Sequence, residues 1–223
     1  MSMIAGLACW PACAGPWVQE GGAVYGRVAV ASERVEGLDA WRFDGYGEYG
    51  LTDRWTLTAK AEAIQFTDAS DFDSDGARVS LKRTLWQRNT FTLTAEAGAV
   101  YGAAIGGVRG CDTLGGEARL SAGVSGRWDG SDWYMFGDVA TRAHGEGCWR
   151  DRLELGAGRE IAHNLFLTNQ IWIERGSEES RSDKLETGFL YRTRWADVSF
   201  AYRQEVSGRF DENGIVLAIA KQY

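Results

Sequence analysis

The feature that most constrains this chain is an alternation of apolar and polar residues with a period of two, recurring from near the N-terminus to the last residue. In Trp55-Thr56-Leu57-Thr58-Ala59-Lys60-Ala61-Glu62-Ala63 one set is Trp, Leu and Ala, and the other is Thr, Thr, Lys and Glu. Successive side chains on a strand point to opposite faces, so such a segment is apolar on one side and polar on the other. The pattern returns in Ala77 to Leu85, Phe91 to Ala99 and Ala118 to Trp128, and no comparable window carries a helical period. We count about twelve such segments, each near the roughly 9–11 residues that a tilted membrane strand needs. They fall near 23–34, 41–51, 55–67, 76–86, 90–103, 115–128, 132–143, 149–161, 165–175, 184–195, 197–207 and 213–223. The expected fold is all-β: a single antiparallel transmembrane β-barrel of about 12 strands.

Composition agrees. A quarter of the 223 residues are charged and the mean hydropathy is −0.30, with no run of roughly 20 apolar residues for a spanning helix. The 29 Gly and 10 Trp against 2 Pro suit long, regularly paired strands. The net charge of −7, without a basic cluster, argues against nucleic acid as a partner. Met1 to Val18 carries no charged side chain, and Ala12-Cys13-Ala14 has the small-x-small form of a signal-peptidase site. We read 1–14 as a secretory signal and 15–223 as the barrel domain. The signal lacks its usual Lys or Arg, as though its start lay further upstream.

The connections sort by length. Short ones are expected at 52–54, 87–89, 129–131, 162–164 and 195–197, and long ones at 34–40, 68–75, 104–114, 144–148, 176–183 and 208–212. Short and long alternate, so all short turns fall at one end, expected to be periplasmic, and all long loops at the other, expected to be extracellular. Trp55, Trp86, Trp128, Trp133 and Trp195 all border the short turns, where indole rings form an aromatic girdle at the membrane interface.

On these residues the chain resembles the bacterial outer-membrane β-barrel class, from about Val24 to Tyr223. The last segment, Gly214 to Tyr223, alternates and ends on an aromatic, similar to the C-terminal strand that the barrel assembly machinery reads in that class. The segment Glu48 to Trp55 resembles hairpins in uncharacterised proteobacterial envelope proteins. The resemblance implies export through the periplasm to the outer membrane of a Gram-negative bacterium, with membrane lipid and lipopolysaccharide as surroundings.

The polar face should line the lumen with Arg42, Glu48, Lys60, Glu62, Arg78, Lys82, Glu96, Arg119, Arg127, Glu154, Glu186, Arg192, Arg194 and Arg203. Both signs are interspersed. That suits either a narrow channel for small polar or charged solutes, with anion preference from the basic strands, or a closed structural barrel. A conduit serving an export assembly, such as one for polysaccharide, is a further form of the channel reading.

Cys111 and Cys148 are the cysteines left after signal cleavage. They lie in adjacent long loops, and in an oxidising compartment they should pair, stabilising the fold by roughly 3–4 kcal/mol in the chain-entropy model. Asp71-Phe72-Asp73-Ser74-Asp75-Gly76 matches the first half of a calcium loop, but its twelfth position is Lys82 rather than a bidentate Glu. An acidic loop tip is the plainer account. His144, at a strand end, could serve a rim hydrolase, yet no Gly-x-Ser-x-Gly turn marks a nucleophile. His163 lies in a short turn remote from it. Nothing in the spacing asks for a metal, a cofactor or an enzymatic role.

Overall fold

In the computed structural model, which describes residues 15–102, 111, 113–177 and 181–223, the chain forms twelve antiparallel strands closed into one barrel. They are β1 (Val24–Val35), β2 (Leu38–Thr52), β3 (Trp55–Phe66), β4 (Ser74–Arg88), β5 (Phe91–Gly102) and β6 (Gly115–Trp128), then β7 (Ser131–His144), β8 (Trp149–Ala162), β9 (Leu165–Gly176), β10 (Ser182–Arg192), β11 (Asp197–Gly208) and β12 (Glu212–Gln222). Each strand pairs with its neighbours in sequence, and β12 closes on β1 from Tyr25↔Gln222 to Val35↔Glu212. At that seam Val24 N–H donates to the Tyr223 carbonyl (3.1 Å) and Tyr223 N–H to that of Val24 (2.8 Å). The segment expected to be a signal lies outside the described residues.

The alternation sends apolar side chains outward. Val28, Val139, Leu217 and Ile219 are about half exposed or more, while Thr56, Thr58, Lys82 and Glu96 are buried inside. The apolar surface therefore faces the membrane rather than a core. Among the described residues the inside holds two apolar clusters, Ala31–Ala201–Val216 and Tyr134–Phe136–Phe166–Leu190.

At one end the connections are 53–54, 89–90, 129–130, 163–164 and 193–196; at the other they are 36–37, 67–73, 103–114, 145–148, 177–181 and 209–211. We call these the short-turn end and the loop end. The first connection differs from the expected long loop. Glu36 and Gly37 form a two-residue turn with φ of 51° and 82°, the type I′ geometry whose twist matches paired strands. Leu38 to Ala40, expected in that loop, continue the β2 ladder.

Strand β10 also stops earlier than expected. Thr193 Oγ accepts the N–H of Trp195 (3.1 Å) and of Ala196 (3.0 Å), curling the chain into a hydroxyl-capped turn. Arg194 is therefore not a lumen residue: it is exposed in that turn, 4.7 Å from the centroid of the Trp195 ring.

In the β3–β4 connection, which holds a 3-10 turn at Ser70–Phe72, Asp73 Oδ1 accepts the Phe66 N–H at 2.7 Å. That carboxylate of the calcium-like run thus fastens its own loop, and the described residues contain no group of three side chains suited to a metal ion. A Cys111–Cys148 disulfide, with Cα atoms 5.7 Å apart, joins the β5–β6 and β7–β8 connections at the loop end.

Candidate functional site: the barrel lumen

Parity along each strand selects the lumen wall, and three β-bulges adjust it near the short turns, in the β2–β3, β4–β5 and β8–β9 pairs. Strict alternation would place Trp86 on the inner face with Thr84. The bulge between them lets both Leu85 and Trp86 face out, where Trp86 packs on Phe91 with ring centroids 5.2 Å apart. Trp55, Trp128 and Trp195 are likewise exposed on the outside at this end, and Trp133 covers Gly126. Arg83 lies 5.1 Å from the Trp55 centroid and Arg159 5.2 Å from that of Trp128, so cations stand over the indole faces.

The inner wall is a set of linked ion pairs. Toward the loop end, Arg42 binds Glu33 at 2.7 Å and Glu212 at 3.3 Å, and Lys184 binds Glu212 at 2.6 Å. Arg203 binds Glu186 at 2.8 Å. On the β1–β3 wall, Asp44 joins Arg27 (3.0 Å) to Lys60 (3.2 Å), and Lys60 also holds Glu62 (2.8 Å). Across β4 to β8, Glu117 takes Arg78 (2.5 Å), Arg142 (2.6 Å) and Arg119 (3.2 Å). Arg119 reaches Asp138 at 3.2 Å, and Arg152 reaches Glu154 at 2.6 Å. Ions withdrawn from bulk water need such partners, because desolvation otherwise exceeds what each pair returns.

Of the expected wall residues, Arg42, Glu48, Lys60, Glu62, Arg78, Lys82, Glu96, Arg119, Glu154, Glu186 and Arg203 meet in these networks or in the short-turn group described below. Arg127 has inward parity but lies at the short-turn mouth, more than half exposed and paired with Asp132 at 2.8 Å. Arg192 stacks over Phe166 at 4.2 Å. Arg27, Glu33, Glu174 and Glu212 also belong to the wall and were missed. Parity with Tyr25 would have found Arg27 and Glu33, whereas Glu212 fell in an expected loop.

A cavity of about 260 Å³ lies among these groups. Nine basic side chains line it (Arg27, Arg42, Lys60, Arg78, Arg119, Arg142, Arg152, Lys184 and Arg203) against five acidic ones (Asp44, Glu62, Glu154, Glu174 and Glu186). Glu33, Glu96, Glu117, Asp138 and Glu212 are buried behind this lining and do not face the space. The lining is therefore richer in cations than in anions, although Arg42, Arg78 and Lys184 are themselves buried in the wall beside their carboxylate partners. Tyr46, Trp172, Asn169 and Gln170 add polar and aromatic surface.

At the loop end, His144 is buried, and its only ring hydrogen bond among the described residues is from Nδ1 to the Thr113 carbonyl, 2.7 Å away. It anchors the strand end beside the disulfide.

No family model matches the chain, and no curated protein is significantly similar to it in sequence. Many solved structures share its fold. An outer membrane channel from Pseudomonas putida F1 is 13% identical over 95% of this chain and 99% of that one, with a TM-score of 0.58. The NanC porin is 9% identical over 86% and 98%, with a TM-score of 0.63, and the KdgM porin 7% identical over 87% and 97%, at 0.61. With twelve strands closed on themselves, an apolar outer surface and an ionic lumen, the chain has the fold of these proteins: it is an outer-membrane-type β-barrel.

Proposed function

We propose that this protein resides in the outer membrane, short turns toward the periplasm, and conducts small polar solutes with a preference for anions. The observation that carries this reading is the cavity wall, where nine cations face the space against five anions in a protein whose net charge is −7. Charges facing a confined, low-dielectric space act on a solute more strongly than they would in water. The volume, about 260 Å³, suits a small molecule rather than a polymer chain, which disfavours a polysaccharide conduit. That structures of this fold include an outer membrane channel and porins is in keeping with the reading, although fold alone does not carry function.

The test is conductance of the refolded chain in a planar bilayer under a salt gradient. The reversal potential is expected to report anion preference, and Arg119→Glu to move it toward cations. Arg194→Glu, outside the lumen, serves as the matched control and should leave it in place. A folded barrel that stays silent, both unaltered and in the Trp17→Ala variant described below, would discard the channel and favour a closed structural barrel.

A further inference from the structure

The lumen is crossed by the chain's own N-terminal segment. Before β1 the backbone turns inward at the short-turn end: Gly22 N–H donates to the Gly50 carbonyl (2.7 Å), and Glu20 passes so close to β2 that a Cβ on Gly50 would overlap its carbonyl. Gln19 then touches three strands. Its backbone N–H donates to Thr56 Oγ on β3 (3.0 Å), its side-chain Nε2 donates to Glu48 on β2 (2.5 Å), and its side-chain Oε1 accepts from Gln222 on β12 (3.0 Å). The segment ends at the opposite wall. Pro16 is fully buried against Gly123 on β6, and Trp17 meets Tyr134 and Phe136 of β7 edge-on, at centroid distances of 6.3 and 6.4 Å. Lys82 on β4 donates to the carbonyls of Gly15 (3.0 Å) and Trp17 (3.3 Å) while binding Glu48 (2.5 Å). In a twelve-stranded ring β1 and β7 stand across from one another, so this strap spans the diameter.

The receiving slot is shaped for it. The rings of Phe136 and Tyr134 lie where Gly156 and Gly158 of β8 have no side chain, and a Cβ on either glycine would overlap the ring. A Cβ on Gly123 would overlap Pro16. Yet Trp17 to Glu20 adds no strand to the sheet, so its hold is a handful of side-chain contacts separable from the barrel's own ladder. Tyr134, Phe136 and Leu190, which form the slot with Phe166, also border the cavity, so the strap sits directly at one end of it.

We infer that Gly15–Glu20 is a tethered gate on the short-turn mouth, latched by Trp17 in the Tyr134–Phe136–Phe166–Leu190 slot, and that unlatching Trp17 opens the lumen; this rests on the channel reading only for what then passes. The experiment carries two readouts on the refolded chain. Leu190→Cys places a thiol in the slot, and its labelling by a small charged methanethiosulfonate is followed by mass at position 190. The native disulfide withholds Cys111 and Cys148 from this chemistry.

Adding Trp17→Ala should speed labelling by about tenfold or more, since loss of a packed Trp shifts the latched population strongly. Conductance should rise in parallel. Trp41→Ala, on the outer face, is the control for folding and should change neither. Equal labelling rates with and without Trp17 would overturn the gate. Faster labelling with no conductance would support the gate and overturn the channel. Conductance of the unaltered chain as large and as steady as that of the Trp17→Ala variant would overturn the gate and leave the channel standing.

Discussion

One carboxylate, Glu117, pairs with Arg78, Arg119 and Arg142 together, with its side chain 4% exposed. Glu117→Gln would leave three clustered guanidiniums short of a counter-charge, and should cost about 3–5 kcal/mol, the scale of breaking a buried pair. Urea unfolding in detergent would measure it, and adding Arg142→Met should recover part of the loss in a double-mutant cycle. Most such wall residues could be read directly from parity, because a side chain's face follows from its position once the strand is known. Trp86 and Arg194 show where that logic stops. Trp86 has the parity of a lumen residue and reaches the outer face only through a bulge, while Arg194 was assigned to a strand that a threonine-capped turn cuts short. Both depend on local hydrogen bonds that leave no periodic trace in the chain.

At the scale of elements, tight turns set the register of paired strands. Asp129 and Gly130 hold φ of 51° and 79°, and the β6–β7 ladder beside them runs without a shift from Trp128↔Ser131 to Gly115↔His144. Gly130→Val should lower stability by about 1–2 kcal/mol, because a β-branched residue is strained at positive φ. Removing the disulfide by Cys148→Ser should cost about 4 kcal/mol in the chain-entropy model for a separation of 37 residues. Denaturation midpoints of the two variants against the parent would check both. The existence and order of all twelve strands were legible, because each carries its own alternation. Their ends were less so: Glu36-Gly37 looked like the middle of a long loop, since Arg34 and Asp39 are polar. In the fold these two form an exposed pair at 2.9 Å on adjoining strands.

For the whole molecule, a closed sheet has no free edge from which to unravel. The folded chain should therefore survive detergent and run faster on a gel unheated than boiled, and identical mobilities would argue against a stable barrel. Alternation marks which strand side chains turn inward, but nothing in it marks the N-terminal strap. Gly15 to Glu20 has no periodicity, and its destination is set by tertiary gaps. The signal that could have exposed it is the pairing of Tyr134 and Phe136 with Gly156 and Gly158 on the next strand, where missing side chains make space for rings turned inward.

The seam between Val24 and Tyr223 has a consequence for the protein's birth. β1 and β12, which seal the ring, stand at opposite ends of the sheet in chain order, so closure must wait until β12 has been made. Until then the nascent sheet carries two open edges and an apolar outer surface in water, the very features that invite aggregation. Such a sheet is safe from association only once the ring has closed with its apolar face covered.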